Sequence, residues 1–201
     1  DNHKPHVEIL IERHISKKTR VTDVVVTSYY SYPKVGNAIR ECKYRNGGDF
    51  PSFLINRMTL AYTKYFESLN LDLILFVPPT ESGRLVERLC RSVGHNLGIP
   101  TYNNIEKIRN TEPQKKFENS VLKKDNVRDA FGLINSTLIK RKRVLLIDDV
   151  IDSGATIKEV SKLIHDAGAE IVAPLVLAKT VGGDSLWWVM KPHIGMLFKR
   201  L

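Results

Sequence analysis

The sequence predicts an α/β domain: a mostly parallel, twisted sheet with helices on both faces. Three observations carry that expectation. Segments of strand character alternate with segments of helical apolar spacing along most of the chain. Two strand segments, LDLILFVPP at 71–79 and RVLLID at 143–148, each hold a continuous apolar run, 73–77 and 144–147, as strands buried on both faces do. The intervening helices each keep one apolar face, so each needs a sheet to lie on.

Taken in order, residues 1–22 read as a linker or N-terminal extension, DNHKPHVEILIERHISKKTR, ahead of a domain spanning 23–181. DVVVTSYY at 23–30 is rich in β-branched and aromatic residues and predicts the first strand. Val35, Ala38, Ile39 and Cys42 then fall at helical spacing between Lys34 and Tyr44, and Asn46-Gly47-Gly48 ends that helix. A longer amphipathic helix is expected from Pro51 to Leu69, where Phe53, Leu54, Met58, Ala61, Tyr65, Phe66 and Leu69 recur every three or four positions. After the 71–79 strand, Leu85, Leu89, Cys90, Val93 and Leu97 line one face of a helix closed by Gly98-Ile99-Pro100. Residues 104–130 are polar and lack apolar periodicity, which predicts a long functional loop. The strand at 143–148, a helix over 155–167 with Ile157, Val160, Leu163 and Ile164 inward, and the strand EIVAPLVLA complete the domain, leaving a tail at 182–201.

The length, 201 residues with 42% hydrophobic and 26% charged content, fits one domain with a sizeable core. No apolar run is long enough to span a bilayer and no signal peptide is legible, so a cytoplasmic protein is expected. Cys42 and Cys90 are too far apart in sequence to show a zinc spacing or a disulfide framework. The chain opens at Asp1 without methionine, which reads as a processed chain or a piece of a longer one. A net charge of +9 with basic clusters at Lys115/Lys116, Lys123/Lys124 and Lys140 to Arg143 favours anionic partners, phosphorylated small molecules or nucleic acid, although such runs are equally often plain solvated faces.

Chemistry concentrates in VLLIDDVIDSGAT, 144–156, where a buried strand delivers Asp148 and Asp149 to its tip and a small turn leads into a helix. A helix N-terminus presents unpaired N–H groups and the positive end of its dipole, so Asp152, Ser153, Gly154, Ala155 and Thr156 are suited to wrap a phosphate. Gly154 permits close backbone approach, and the Ser153 and Thr156 hydroxyls can donate. Two carboxylates beside an anion-binding turn would repel a bare phosphate, so they must face sugar hydroxyls or Mg²⁺. A phosphorylated ribose satisfies both ends. Receiver domains also carry paired acidic residues, but on the first strand and with a separate phospho-accepting aspartate, an order this chain does not provide.

Four apolar residues, two acidic ones and a loop ending in Ser-Gly-Ala-Thr resemble the phosphoribosyl-pyrophosphate (PRPP) signature of type I phosphoribosyltransferases. With YYSYPKVGNAIRECKYRNGGDF, IRNTEPQKKF and NVRDAF, the chain resembles the competence-protein ComF family from about Val24 to Thr180. The resemblance implies the type I fold with a flexible hood, Asp148 and Asp149 on the ribose hydroxyls, 152–156 on the 5′-phosphate, and Mg²⁺ carried mainly by PRPP, with Asp148 and Asp149 as its protein contacts. It places Arg109, Thr111, Gln114 and Lys115 on the hood, and Pro79, Thr80, Glu81, Ser82, Gly83 and Arg84 on a pyrophosphate loop that begins at Pro78. ComF proteins usually open with a zinc module, for which nothing upstream of Val24 supplies ligands; some RecQ-type helicases carry a ComF-like C-terminal domain, and a fused or associated helicase is a further expectation.

Two functional readings stay open. One is transfer of phosphoribose to a nitrogenous acceptor, with Asp152 as acid or base and Arg109, Lys115 and Arg84 neutralising the departing pyrophosphate. The other is a non-catalytic module that grips nucleic acid or senses PRPP beside DNA-uptake or helicase machinery. A homodimer is compatible with either. His3 and His6 lack a third metal ligand; His95 and His165 read as ordinary helix residues; Trp187-Trp188 reads as a buried or partner-facing pair before a base-stacking platform.

Overall fold

The computed structural model describes residues 10–12, 21–45, 48–79, 83–109 and 127–180. Its main sheet has five strands in the spatial order β1, β2, β7, β6, β3. These are β1 (Leu10–Glu12), β2 (Val24–Val26), β3 (Leu73–Phe76), β6 (Arg143–Ile151) and β7 (Ile171–Lys179). β1 lies antiparallel to β2, while β2, β7, β6 and β3 are mutually parallel. The mostly parallel sheet expected from the alternation is therefore present, and the two central strands are the longest.

Alternation along β6 sorts its side chains between two cores. Leu145 and Ile147 join Ala173 and Leu175 under α1 (Pro33–Arg40), α2 (Ser52–Tyr65) and α3 (Leu85–Leu97). Val144 and Leu146 join Val172, Val176, Ile157, Val160 and Ile164 on the opposite face, where α4 (Ala155–Asp166) packs. Burial on both faces is why the sequence of β6 is apolar without interruption until Asp148. Arg143 anchors the start of that strand: its N–H donates to Asp72 Oδ2 at 2.7 Å, and its guanidinium reaches Leu69 O at 3.0 Å and Glu170 Oε1 at 3.1 Å. One member of the 140–143 basic cluster is thus committed to holding the sheet together.

Three elements depart from the sequence expectation. The segment 104–130 contains β4 (Ile105–Lys107), which pairs antiparallel with β5 (Phe131–Leu133) to form a separate two-stranded ribbon. Strands of three residues, of which only Ile105 and Phe131 are buried, carry too short an alternation to register as a pattern. The helix expected over 34–44 is α-helical only to Arg40; Glu41–Arg45 form a π-helical turn. Leu10–Glu12, expected to be linker, form the edge strand β1. The opposite edge, β3, is covered by a crossing segment: Ile74 N–H donates to Pro100 O at 2.8 Å and Tyr102 N–H to Ile74 O at 3.0 Å.

α3 lies close against the segment that crosses β3 because of Gly94, where a Cβ would lie 2.6 Å from Thr101 Oγ1 and 2.7 Å from Ile99 O. Gly94→Ala is therefore expected to cost about 1–3 kcal/mol by overpacking. Urea unfolding followed by circular dichroism should show the midpoint falling with the slope unchanged; an unaltered midpoint would mean the helix shifts freely.

Candidate functional site

All four parallel strands point their carboxyl ends to one edge of the sheet, the position at which open α/β sheets bind ligands. β6 ends there with Asp148, Asp149, Val150 and Ile151, and residues 152–154 turn directly into α4. Gly154 is the cap of that helix and has φ of +77°, a left-handed conformation that penalises any side chain, so the turn requires glycine for its own geometry. Ser153 Oγ accepts from the Ala155 N–H at 3.4 Å. The N-terminus of α4 carries no acidic residue in its first turn, which keeps the positive end of its dipole uncompensated by its own side chains.

The two carboxylates are held differently. Asp149 N–H donates to Asp148 Oδ1 at 2.9 Å, which fixes Asp148 from the backbone. Asp149 is buried, and Lys43 Nζ lies 2.6 Å from its Oδ2 with both side chains largely shielded from solvent. Beyond that ion pair, Asp149 Oδ2 has no hydrogen-bond partner among the described residues. Burial and the adjacent Asp149 charge push the Asp148 carboxyl up from 3.8 to about 8, against the Asp149 N–H and the charges of Lys43 and Lys107. Burial would lower the Lys43 ammonium, but the charges of Asp149 and Asp148 prevail and raise it.

Lys43, Lys107 and Thr180 are site residues that the sequence reading missed. Lys43 comes from the π turn after α1 and Lys107 from β4. Thr180, one residue past β7, donates through Oγ1 to Asp152 Oδ1 at 2.8 Å and through its N–H to Ile151 O at 2.9 Å, clamping the turn that opens α4 to the next strand. Only Thr180 left a usable signal: two parallel neighbouring strands of like length must end side by side. Nothing in the spacing of Lys43 or Lys107 ties them to residues more than forty positions away.

The remaining expected residues are placed as follows. Asp148, Asp149, Asp152, Ser153, Gly154, Ala155 and Thr156 are brought together by the strand-to-helix connection. Pro79 follows β3 at the same sheet edge, and Gly83, with φ of +54°, precedes Arg84 at the start of α3. Arg84 pairs with Glu87 at 3.1 Å, and Glu87 also holds Arg91 at 2.8 Å. These arginines, Arg91 foremost, hold the Glu87 carboxyl below its usual range despite burial. Arg109 follows β4 and donates to Arg128 O at 2.7 Å. Thr80, Glu81, Ser82, Thr111, Gln114 and Lys115 lie outside the described residues, as do His3, His6, Trp187 and Trp188. His95 and His165 sit on α3 and α4, and Cys42 and Cys90 are free thiols.

A parallel α/β sheet with adjacent carboxylates and a glycine-capped helix start at one strand tip is an arrangement suited to a sugar phosphate. The sequence model described as the phosphoribosyl transferase domain matches residues 49–186, and the chain belongs to that family, with the type I fold. It is ComF-like in sequence: over 93 residues it is 33% identical to Competence protein F of Haemophilus influenzae, covering 45% of this chain and 40% of that protein. Over 60 residues it is 42% identical to Transcriptional regulator GfcR of Methanocella arvoryzae, covering 30% of this chain and 29% of that one. The matches thus span less than half the length of either curated relative. Among solved structures, adenine phosphoribosyltransferase from Leishmania tarentolae aligns with a TM-score of 0.43 and 18% identity, covering 69% of this chain and 62% of that one.

The family uses Mg²⁺ with its phosphoribosyl substrate, and the donor set tests how far this chain could hold the ion. Asp149 Oδ2 is taken by an ammonium and Asp148 Oδ1 by a backbone N–H. No group of three or more His, Cys, Asp or Glu side chains gathers among the described residues. A hard cation needs several oxygens at once, so the pair does not fit a protein-held metal site. It does fit acceptance of hydroxyl hydrogen bonds.

Because the Asp148 carboxyl is raised in the folded state, the native protein holds that proton more tightly than the unfolded chain. This contribution to stability is present below about pH 4 and is lost as pH climbs through about 8. Asp148→Asn is expected to raise the Tm at pH 8 by about 2–4 °C, the shift corresponding to roughly 1 kcal/mol in a domain of this size. The gap to the wild type should close as pH falls toward 4; calorimetric scans at both pH values would contradict the strained-pair account if the variant melted lower at pH 8.

Proposed function

We propose that this domain binds PRPP and transfers its phosphoribosyl group to a nitrogenous acceptor. The observation that carries the reading is the direct succession, at the end of a central strand, of two fixed carboxylates and a left-handed glycine opening a helix. Hydroxyl acceptors beside a helix start suited to phosphate are what support a sugar phosphate as ligand.

In this reading Asp148 and Asp149 accept the ribose hydroxyls. The backbone N–H groups of residues 152–156, with the Ser153 and Thr156 hydroxyls, hold the 5′-phosphate. Pro79, Thr80, Glu81, Ser82, Gly83 and Arg84 border the pyrophosphate, which enters as its magnesium complex and leaves from C1 of the ribose. As the C1–O bond breaks, the ring gains positive charge; the Asp149 carboxylate beside it offsets that charge, and Arg109 and Lys115 offset the negative charge of the leaving group. The acceptor nitrogen bonds to C1 and gives its proton to Asp152, whose carboxylate is held by Thr180 Oγ1.

The free thiols fit a reducing cytoplasmic setting. No helix among the described residues is long and apolar enough to cross a membrane. The resemblance to a competence protein is the support, by analogy alone, for a role beside DNA handling.

Calorimetry with PRPP and Mg²⁺ should show saturable binding, weakened about a hundredfold or more in Asp148→Asn/Asp149→Asn, since two hydrogen bonds to charged groups are lost. Pyrophosphate release in the presence of a panel of nitrogenous bases then identifies the acceptor. Absence of PRPP binding, alongside salt-sensitive single-stranded DNA binding that survives both substitutions, would replace the enzyme by a nucleic-acid module.

A further inference from the structure

Lys43 has no place in the scheme above, yet it makes the closest contact in the site. Its ammonium lies 2.6 Å from Asp149 Oδ2, and the exposures of the two side chains are 15% and 7%. Taking a lysine and an aspartate out of water is expensive, and a surface position would have cost nothing. The chain delivers this lysine through a π-helical turn, Glu41–Arg45, directly after an α-helix that ends at Arg40. Such turns are rare, and they re-aim side chains that a continuing α-helix would carry elsewhere.

The pair also leaves work undone. Asp149 Oδ2 is buried against the ammonium, and a carboxylate can accept about four hydrogen bonds in all, so the ion pair leaves the group with capacity for a further donor. A buried acceptor of this kind discriminates strongly: a ligand that brings a hydroxyl satisfies it, and one that lacks the hydroxyl leaves it unpaired. The discrimination requires the carboxylate to be ionised and fixed. Asp148 is fixed by the Asp149 N–H, whereas Asp149 is held by Lys43.

We propose that Lys43 is a specificity-determining positioning residue, which locks Asp149 as the hydroxyl acceptor that selects a ribose phosphate over a deoxyribose phosphate. The inference rests on the phosphoribosyl-binding reading and deepens it. Lys43 acts through Asp149 and touches no reacting atom; its effect belongs to the sugar and leaves the 5′-phosphate cradle on α4 untouched.

The test is the affinity of the intact chain for ribose 5-phosphate and for 2-deoxyribose 5-phosphate, by calorimetry, in the wild type, Lys43→Met, Lys43→Arg and Asp149→Asn, with Tm measured for each. The wild type should prefer the ribose compound by roughly tenfold or more, the size of one hydrogen bond to a charged group. Lys43→Met should lose most of that preference through weaker ribose 5-phosphate binding, with deoxyribose 5-phosphate nearly unchanged. Lys43→Arg should restore part of it, and Lys43→Met/Asp149→Asn should be no worse than Asp149→Asn. A Lys43→Met protein that is folded and keeps the wild-type preference overturns the inference, as does equal weakening of both ligands, which would mark a purely structural ion pair. Should Lys43→Met fail to fold, the double variant, which strands no charge, and Lys43→Arg carry the same comparison. If the wild type binds neither sugar phosphate, the phosphoribosyl reading itself falls and the inference with it; if it binds both equally, only the inference falls.

Discussion

Two carboxylates on consecutive residues at the end of a strand buried on both faces repel one another in a medium that screens them poorly. The rest of the site is arranged around that repulsion. Asp148 is tethered by the N–H of Asp149, Asp149 is matched by Lys43, and Lys107 adds positive charge from the β4–β5 ribbon. The site therefore recruits one cation from each of two elements outside the strand that bears the acids, and both must be folded for the acids to be tolerated. A sugar with adjacent hydroxyls relieves the same strain by donating to the carboxylates. Binding energy and folding strain are then two views of one interaction, the usual position of a functional site in a marginally stable protein.

The framework was legible because it is written in periods that local sequence preserves. α2, α3, α4, β3, β6 and β7 all carry enough consecutive apolar positions to fix their type, and the acidic pair with Ser153-Gly154 marks the strand-to-helix connection without help from tertiary structure. The parts that were not legible share a different physical character. β4 and β5 have three residues each, β1 lies within an otherwise charged segment, and the π turn differs from the preceding helix only by one residue per turn. The Lys43–Asp149 contact is illegible in principle from one sequence, because a lysine near the end of an amphipathic helix looks like any solvated lysine until the topology lays β6 beside it.

Expectation and structure also differ usefully over the cations. Arg84 and Arg109, expected in the enzyme reading to neutralise the departing pyrophosphate, are engaged here with Glu87 and with the Arg128 carbonyl. Arginine exchanges such exposed partners at little cost, since surface ion pairs contribute about 0–1 kcal/mol. Lys43 is the opposite case: it is shielded, and breaking its contact leaves a buried charge. The mobile cations suit a leaving group that comes and goes, and the fixed one suits a sugar that must be recognised before anything happens.

The two margins of the sheet have a consequence for the behaviour of the protein in concentrated solution. A parallel sheet that ends on a long bare strand invites a second molecule to continue it, which is a common route to aggregation. Here one margin is finished by the three residues of β1 running in the opposite direction, and the other by the chain crossing β3 at Pro100–Tyr102. Among the described residues each is too short to template a neighbour over any length. The domain can thus keep a fully buried, strongly apolar centre under its ligand-binding edge without offering that centre's hydrogen-bonding pattern to other copies of itself.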